Sequence, residues 1–114
     1  MEHKNDWIEG FIGAITVCDV NGVVLEMNDA SASVFEANGG YAMIGKEMFS
    51  CHSPASQEKL KSMIANQKSN VYTIEKHGQK KLIYQHPWYK DGQFAGFVEI
   101  SLPIPDEMPH FVRG

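Results

Sequence analysis

The 114-residue chain has only two cysteines and a single arginine, and these low counts argue against a disulfide scaffold, a zinc site and nucleic-acid binding. Cys18 and Cys51 lie far apart and form neither a CxxC pair nor a zinc-ligand spacing, so we expect reduced thiols. The 14 acidic residues outnumber the 10 basic ones, which gives a formal charge of −4. Because Lys80 and Lys81 form the densest basic cluster, nucleic-acid binding is not expected.

Long apolar runs are also missing. The N-terminus is polar, and the brief apolar stretch after it is too short for the core of a signal peptide or for a membrane span. We therefore expect a cytoplasmic protein that does not enter a membrane. Apolar residues still make up 43% of the chain, which suffices for one globular domain with its own core.

The first half of the chain predicts a hairpin followed by a helix. Residues 14–19 and 23–27 are rich in β-forming residues and flank an Asn-Gly turn signal. Asn28 is placed to cap a helix that runs to about Ala37. This helix is expected to bury Ala30, Val34 and Phe35.

The second half predicts a longer helix and a β-meander. Ser53-Pro54 is a strong helix start, because the serine can cap free amides and proline is tolerated at the first helical position. The helix is expected to end near Asn66, with Leu60, Met63 and Ile64 facing the core. Turn signals then separate three predicted strands, at residues 71–76, 80–89 and 94–102.

These elements predict an α+β domain, a five-stranded antiparallel sheet with its helices packed on one face. We assign residues 14–103 to this domain, residues 1–13 to an N-terminal cap segment and residues 104–114 to a proline-rich C-terminal tail. The proline density of the tail excludes a continuous helix, so we expect any signal to pass to a separate protein.

Several short motifs, in this order, resemble the PAS domain family over nearly the whole chain. They are Asp19-Val20-Asn21-Gly22, the Asn28 cap, Ile44-Gly45-Lys46 and Asp91-Gly92-Gln93-Phe94-Ala95-Gly96. The block from Phe49 to Pro54 is similar to a subgroup of small bacterial PAS proteins with a Cys-His-x-Pro segment. The resemblance implies a PAS-like fold, a sensory role, and a pocket between sheet and helices that holds haem, flavin or a small organic ligand.

An aromatic and methionine set is predicted to line this apolar pocket, with two histidines as polar members. The predicted ligand-binding residues are Phe35, Met43, Phe49, His52, Met63, Tyr84, His86 and Trp88. A filled core is the equally weighted alternative. On this interpretation Tyr84 and its neighbours face the pocket, whereas the outer face of the sheet carries Val24, Ile83, Phe97 or Tyr89.

No motif supports a particular cofactor, so the ligand stays unknown. The resemblance implies an axial histidine on the central helix for haem, and residues 54–66 contain none, although His52 lies just before them. The resemblance implies an Asn-Cys-Arg type motif for a reactive flavin, and Ser50-Cys51-His52 departs from it at both neighbours. We expect no metal site and no catalytic residues, since paired carboxylates, phosphate loops and nucleophile elbows do not occur.

The leading hypothesis is a stand-alone sensory or regulatory module that binds a small molecule and signals through dimerisation or a partner protein. The alternative is an interaction module with a packed core and no ligand. Trp7, Ile8 and Phe11 are predicted to cover the outer face of the sheet of a second copy, which would make the protein a homodimer. A monomer, in which this segment covers its own sheet, is the competing interpretation.

Overall fold

A computed structural model of the protein describes residues 6–47 and 54–114. Most helical segments fall between the second and third strands. The elements are α1 (Asp6–Gly10), β1 (Ala14–Asp19), β2 (Val24–Met27), α2 (Asp29–Val34), two 3-10 helices (Glu36–Asn38 and Gly40–Met43), α3 (Pro54–Asn66), β3 (Asn70–Lys76), β4 (Gln79–Lys90) and β5 (Gln93–Ile104).

The five strands form a single antiparallel sheet in the order β2-β1-β5-β4-β3. The first and last strands of the chain are neighbours, because β1 pairs with β5 and places Cys18 opposite Phe97. This arrangement puts β5 at the centre of the sheet. The predicted α+β fold, a five-stranded antiparallel sheet with helices on one face, is confirmed.

The turn between β1 and β2 is held by the side chain of Asp19. Its Oδ1 atom accepts hydrogen bonds from the backbone amides of Asn21, at 2.8 Å, and Val23, at 3.0 Å. Gly22 supplies a positive φ of 81°, which side-chain-bearing residues adopt at a cost. The predicted hairpin at the Asn-Gly pair is therefore confirmed.

Helix α2 is shorter than expected. It ends at Val34 rather than near Ala37, and a 3-10 turn over Glu36–Asn38 continues the chain. The prediction that Val34 is buried is wrong, since its side chain is 54% exposed. Ser31 and Phe35 lie four residues apart and occupy the face that meets the sheet, where the Ser31 and Thr16 hydroxyls share a 2.5 Å hydrogen bond.

The core lies between one face of the sheet, here called the inner face, and the helices. Its buried cluster consists of Cys18, Val24, Met27, Met43, Met63 and Phe97. Half-buried apolar side chains pack around this cluster: Phe35, Leu60, Ile64 and Phe94. The predicted core face of α3 is confirmed. No helix in the described ranges has both the length and the apolar character needed to cross a membrane.

Candidate functional site

A cleft of about 420 Å³ opens between α3 and the inner face of the sheet. We call it the α3 cleft. Its helix wall is formed by Ser56, Lys59, Leu60 and Met63, and its sheet wall by Asn70, Tyr72, Gln85 and Glu99. A narrow extension of about 30 Å³ reaches deeper into the core, as far as Cys18 and Phe97.

The strand register brings the polar residues of the sheet wall together. Asn70 pairs with Gln85, Gln85 pairs with Glu99, and Glu99 pairs with Thr16, so one row crosses four strands. Residues directly opposite one another in a sheet project from the same face. The row therefore presents an amide, a second amide and a carboxylate side by side on the face that α3 covers.

These three side chains form a continuous hydrogen-bonded chain. The Asn70 Nδ2 group donates to Gln85 Oε1 at 2.8 Å, and the Gln85 Nε2 group donates to Glu99 Oε1 at 2.5 Å. The two bonds fix the orientation of the Gln85 amide, since its oxygen and its nitrogen are both engaged. The hydrogen bonds that run from Asn70 on the edge strand β3 through Gln85 therefore fix the position of the Glu99 carboxylate.

The charge of Glu99 reaches two neighbouring groups on the inner face. Burial raises the pKa of the Tyr72 hydroxyl, and the negative charge of Glu99 raises it further. Burial also raises the pKa of the Cys18 thiol, against an opposing backbone hydrogen bond at Phe97 and with help from Asp19 and Glu99. Both groups are therefore neutral near pH 7, and Glu99 supplies the negative charge of the sheet wall.

A second cleft, of about 320 Å³, continues along the inner face beneath α2. It shares Tyr72 and Glu99 with the α3 cleft and adds Phe35, Lys76 and Lys81. Glu99 accordingly stands where the two clefts meet. Together the two clefts run along the inner face of the sheet, with the Glu99 carboxylate near the middle.

Comparison with known proteins gives a fold but no sequence relative. No protein-family model matches the sequence, and no curated protein matches it significantly. Among solved structures, the PAS domain of BvgS from Bordetella pertussis aligns with a TM-score of 0.65 at 19% identity, over 90% of this chain and 84% of that chain. The chain has the PAS fold.

Two further structures agree with this identification. The Aer2 receptor from Vibrio cholerae, a dual PAS-heme oxygen sensor, aligns with a TM-score of 0.63 at 14% identity, over 86% of this chain and 99% of that one. The VqmA dimer from Vibrio cholerae aligns at 0.65 and 14% identity, and 89% of this chain corresponds to 51% of that one.

Three residues predicted to line the pocket lie on the outer face of the sheet, away from α3. Because strand side chains alternate, the inward position of Gln85 turns Tyr84, His86 and Trp88 to the outer face, where they pair with Ile100, Val98 and Gly96. The Tyr84 and His86 rings stack there at 5.9 Å. The Trp88 indole donates a 3.0 Å hydrogen bond to the Cys18 carbonyl oxygen. The expectation that these side chains face the pocket is wrong.

The opposite error applies to the residues expected on the outer face. Val24, Ile83 and Phe97 are buried. Tyr89 is exposed, but it pairs with Phe94, which packs against the core cluster, so it also belongs to the inner face. For the residues of β4 and β5 the two errors have one cause, since the expectation interchanged the inner and outer faces of these strands.

The other predicted pocket residues divide among three locations. Met63 lines the α3 cleft, and Phe35 lines the cleft beneath α2. Met43 is only 2% exposed and belongs to the core cluster, as the filled-core alternative has it. Phe49 and His52 lie outside the described residues.

The functional candidates that sequence reasoning missed are Asn70, Tyr72, Gln85 and Glu99. A signal for three of them was present in the turns. The His77-Gly78 turn sets Asn70 opposite Gln85, and the Asp91-Gly92 turn, with one bulge, sets Gln85 opposite Glu99. Three polar residues at paired positions of successive strands indicate a polar row, but they do not say which face it occupies.

The described part of the cleft holds no metal-binding group. Within residues 6–47 and 54–114 there is no cluster of three or more His, Cys, Asp or Glu side chains that could hold an ion. The described side chains that line the α3 cleft include no histidine, because His86 is on the opposite face. They therefore offer no imidazole ligand for haem.

The predicted dimer residues lie at the start of the chain, on and just after α1. Trp7 is 68% exposed and Phe11 is 38% exposed, while Ile8 is half-buried. The Asn28 Nδ2 group donates to the Ile8 carbonyl at 3.0 Å and to the Gly13 carbonyl at 2.8 Å, which anchors this segment to the domain. A role for Trp7, Ile8 and Phe11 in a dimer stays a prediction.

Proposed function

We propose that this PAS domain binds a small molecule in the α3 cleft and passes the signal on through dimerisation or a separate protein. The cleft itself carries the proposal. Its walls combine apolar Leu60 and Met63 with the hydrogen-bonding side chains of Gln85 and Glu99. Small-molecule sites usually combine an apolar surface with converging polar groups. Six of the eight residues that line this cleft carry polar groups, so it is more polar than the apolar pocket expected from the sequence and suits a ligand with several hydrogen-bonding groups.

The way α3 is attached to the core suggests how binding is transmitted. Only Met63 of this helix is buried, and Leu60 and Ile64 are half-buried against the core. A ligand in the cleft touches both the helix and the sheet, so it favours the arrangement of α3 that fits it best. Binding then shifts the population of helix positions and changes the surface presented to a partner.

Native mass spectrometry tests this proposal on protein purified without added cofactor and then incubated with the low-molecular-mass fraction of a bacterial extract. A Leu60→Trp variant fills the cleft from the helix wall, and Val71→Trp adds an indole on the exposed outer side of β3 as a matched control. We expect a bound mass in the unmodified protein and in Val71→Trp that Leu60→Trp loses. Apo protein throughout, with all three chains folded, would contradict ligand binding.

A ligand-free interaction module is the second candidate, and the exposed apolar start of the chain favours it. Trp7, Phe11 and Ile12 leave large apolar side chains in water. Sedimentation velocity on a Trp7→Ser, Phe11→Ser double variant tests whether they form a dimer. We expect a dimer that this variant dissociates and that Phe111→Ser, a change of an exposed tail residue, leaves intact. A monomer at all concentrations would exclude the dimer.

A further inference from the structure

Glu99 is a carboxylate at a position where an apolar side chain is usual. It lies in the middle of the central strand β5, on the inner face, opposite the buried Thr16 and two residues after the buried Phe97. The side chain itself is half-buried. Partial removal of a charge from water costs free energy unless hydrogen bonds or an opposite charge compensate for it. Glu99 therefore draws its compensation from hydrogen bonds and from water, since no described side-chain oxygen is buried without a hydrogen-bond partner.

The described protein groups satisfy this carboxylate only in part. Gln85 Nε2 donates to Oε1, while Oε2 accepts no hydrogen bond from the described residues. Glu99 also forms no ion pair within residues 6–47 and 54–114. Three lysines line the same two clefts, Lys59 on the helix wall and Lys76 and Lys81 beneath α2, and none of them pairs with Glu99. One carboxylate oxygen thus remains open at the junction of the two clefts.

The rest of the row holds the carboxylate where a ligand can reach it. Asn70 and Gln85 act as positioning residues, since each donates one amide hydrogen along the chain that ends at Glu99. Leu60 and Met63 face this row from α3. A molecule in the cleft would therefore meet the apolar side chains of Leu60 and Met63 on one side and a fixed hydrogen-bond acceptor on the other.

We infer that the ligand of the α3 cleft carries a positively charged hydrogen-bond donor, an ammonium or amidinium group, which binds Glu99 while its apolar part packs against Leu60 and Met63. This inference rests on the ligand-binding function proposed above. A charge-assisted hydrogen bond to a carboxylate is about twice as strong as one between neutral groups. Anionic molecules would meet repulsion from the same carboxylate.

Three probes with the same ring separate charge from shape: benzylammonium, benzyl alcohol and benzoate. Each is titrated into the ¹⁵N-labelled full chain, and the amide shifts of β4 and β5 report binding in the cleft. Glu99→Gln removes the charge but keeps the side-chain size and the contact with Gln85. Glu75→Gln is the matched control, because Glu75 is exposed and projects from the opposite face of β3. Urea unfolding of each variant shows that the fold is retained.

We expect benzylammonium to bind the cleft, to lose about tenfold in affinity in Glu99→Gln and to bind Glu75→Gln like the unmodified protein. Benzyl alcohol or benzoate binding in the cleft as tightly as benzylammonium would overturn the charge inference and leave the proposed ligand-binding function standing. If Glu99→Gln does not weaken benzylammonium binding, the charge inference is likewise overturned, while the proposed ligand-binding function stands. Failure of all three probes to shift the cleft amides would overturn the charge inference and count against ligand binding as well.

Discussion

The buried side chain of Asn28 forms hydrogen bonds to α1, β1 and α2. Its removal therefore tests directly whether these bonds stabilise the fold. The side chain has no exposed surface. Its Oδ1 atom accepts from the amides of Ile15, at 2.9 Å, and Ser31, at 3.0 Å. Its Nδ2 group donates to the carbonyls of Ile8 and Gly13. The residue therefore caps α2 while it anchors β1 and α1.

The cost of Asn28→Ala follows from these bonds. Loss of the helix cap costs about 1 kcal/mol. The Ile15 amide and the buried Gly13 carbonyl then lose the Asn28 partner, and an unsatisfied group costs about 1–3 kcal/mol when water cannot reach it. We expect a total of about 3–7 kcal/mol, which is comparable with the whole stability of a small domain at about 5–15 kcal/mol.

Urea unfolding followed by circular dichroism measures this loss. With an m-value of about 1–2 kcal/mol per M for a chain of this size, the midpoint should fall by about 1.5 M or more. Asn28→Ser keeps a capping oxygen and loses the donors, so it should lie between Ala and the unmodified protein. Asn21→Ala, in the exposed hairpin turn, is the control. An Asn28→Ala midpoint equal to that of Asn21→Ala would refute the reasoning.

Three further predictions concern the centre of the sheet. A Cβ atom at Gly96 would lie 1.9 Å from the Cys18 carbonyl oxygen, so Gly96→Ala should abolish the native near-ultraviolet circular dichroism spectrum. At Gly92 a Cβ atom meets open space, so Gly92→Ala should lower the unfolding free energy by only about 1 kcal/mol. Equal effects of the two substitutions would contradict the close approach at Gly96. Trp88→Phe removes the indole hydrogen bond to the same carbonyl and should lower the unfolding free energy by about 1 kcal/mol, while Trp7→Phe, at an exposed site, should change it by less than about 0.5 kcal/mol. Burial raises the pKa of the Cys18 thiol, so its contribution to stability is complete below the unfolded pKa of about 8.5 and is lost as the pH rises through the folded pKa. In a Cys51→Ser background, iodoacetamide should therefore label Cys18 only as fast as the domain unfolds; rapid labelling of the folded protein at pH 8 would contradict this prediction.

Local signals determined the elements and much of the strand pairing. His77-Gly78 and Asp91-Gly92 all have positive φ angles, between 52° and 78°, which is the geometry of tight hairpin turns. Such turns set the register of the strands that they join, because pairing starts at the residues on either side. The bounds of α3 were predictable for the same reason, since proline at its start and the helical spacing of its apolar residues act within a few positions.

The hydrogen bonds of Asn28 include one that the local sequence predicts and two that it does not. Its bond to the Ser31 amide lies within one helical turn and was predictable from residue type and position. Its bonds to the Ile8 and Gly13 carbonyls join residues that are 20 and 15 positions away in the chain. Those contacts exist only because α1 and β1 return to the start of α2 in the folded chain.

The choice between the two faces of the meander was made by tertiary packing alone. Strand β4 carries apolar residues at both parities, with Leu82 and Trp88 on the outer face and Ile83 and Pro87 on the inner one. A pattern of period two cannot rank two faces that are both apolar. Local turn signals therefore set the pairing of Asn70 with Gln85, whereas the pairing of Gln85 with Glu99 also requires the bulge between Trp88 and Tyr89, which shifts the register by one residue. Only the position of α3 over one face decided that this row, and not the row of Tyr84, lines the cleft.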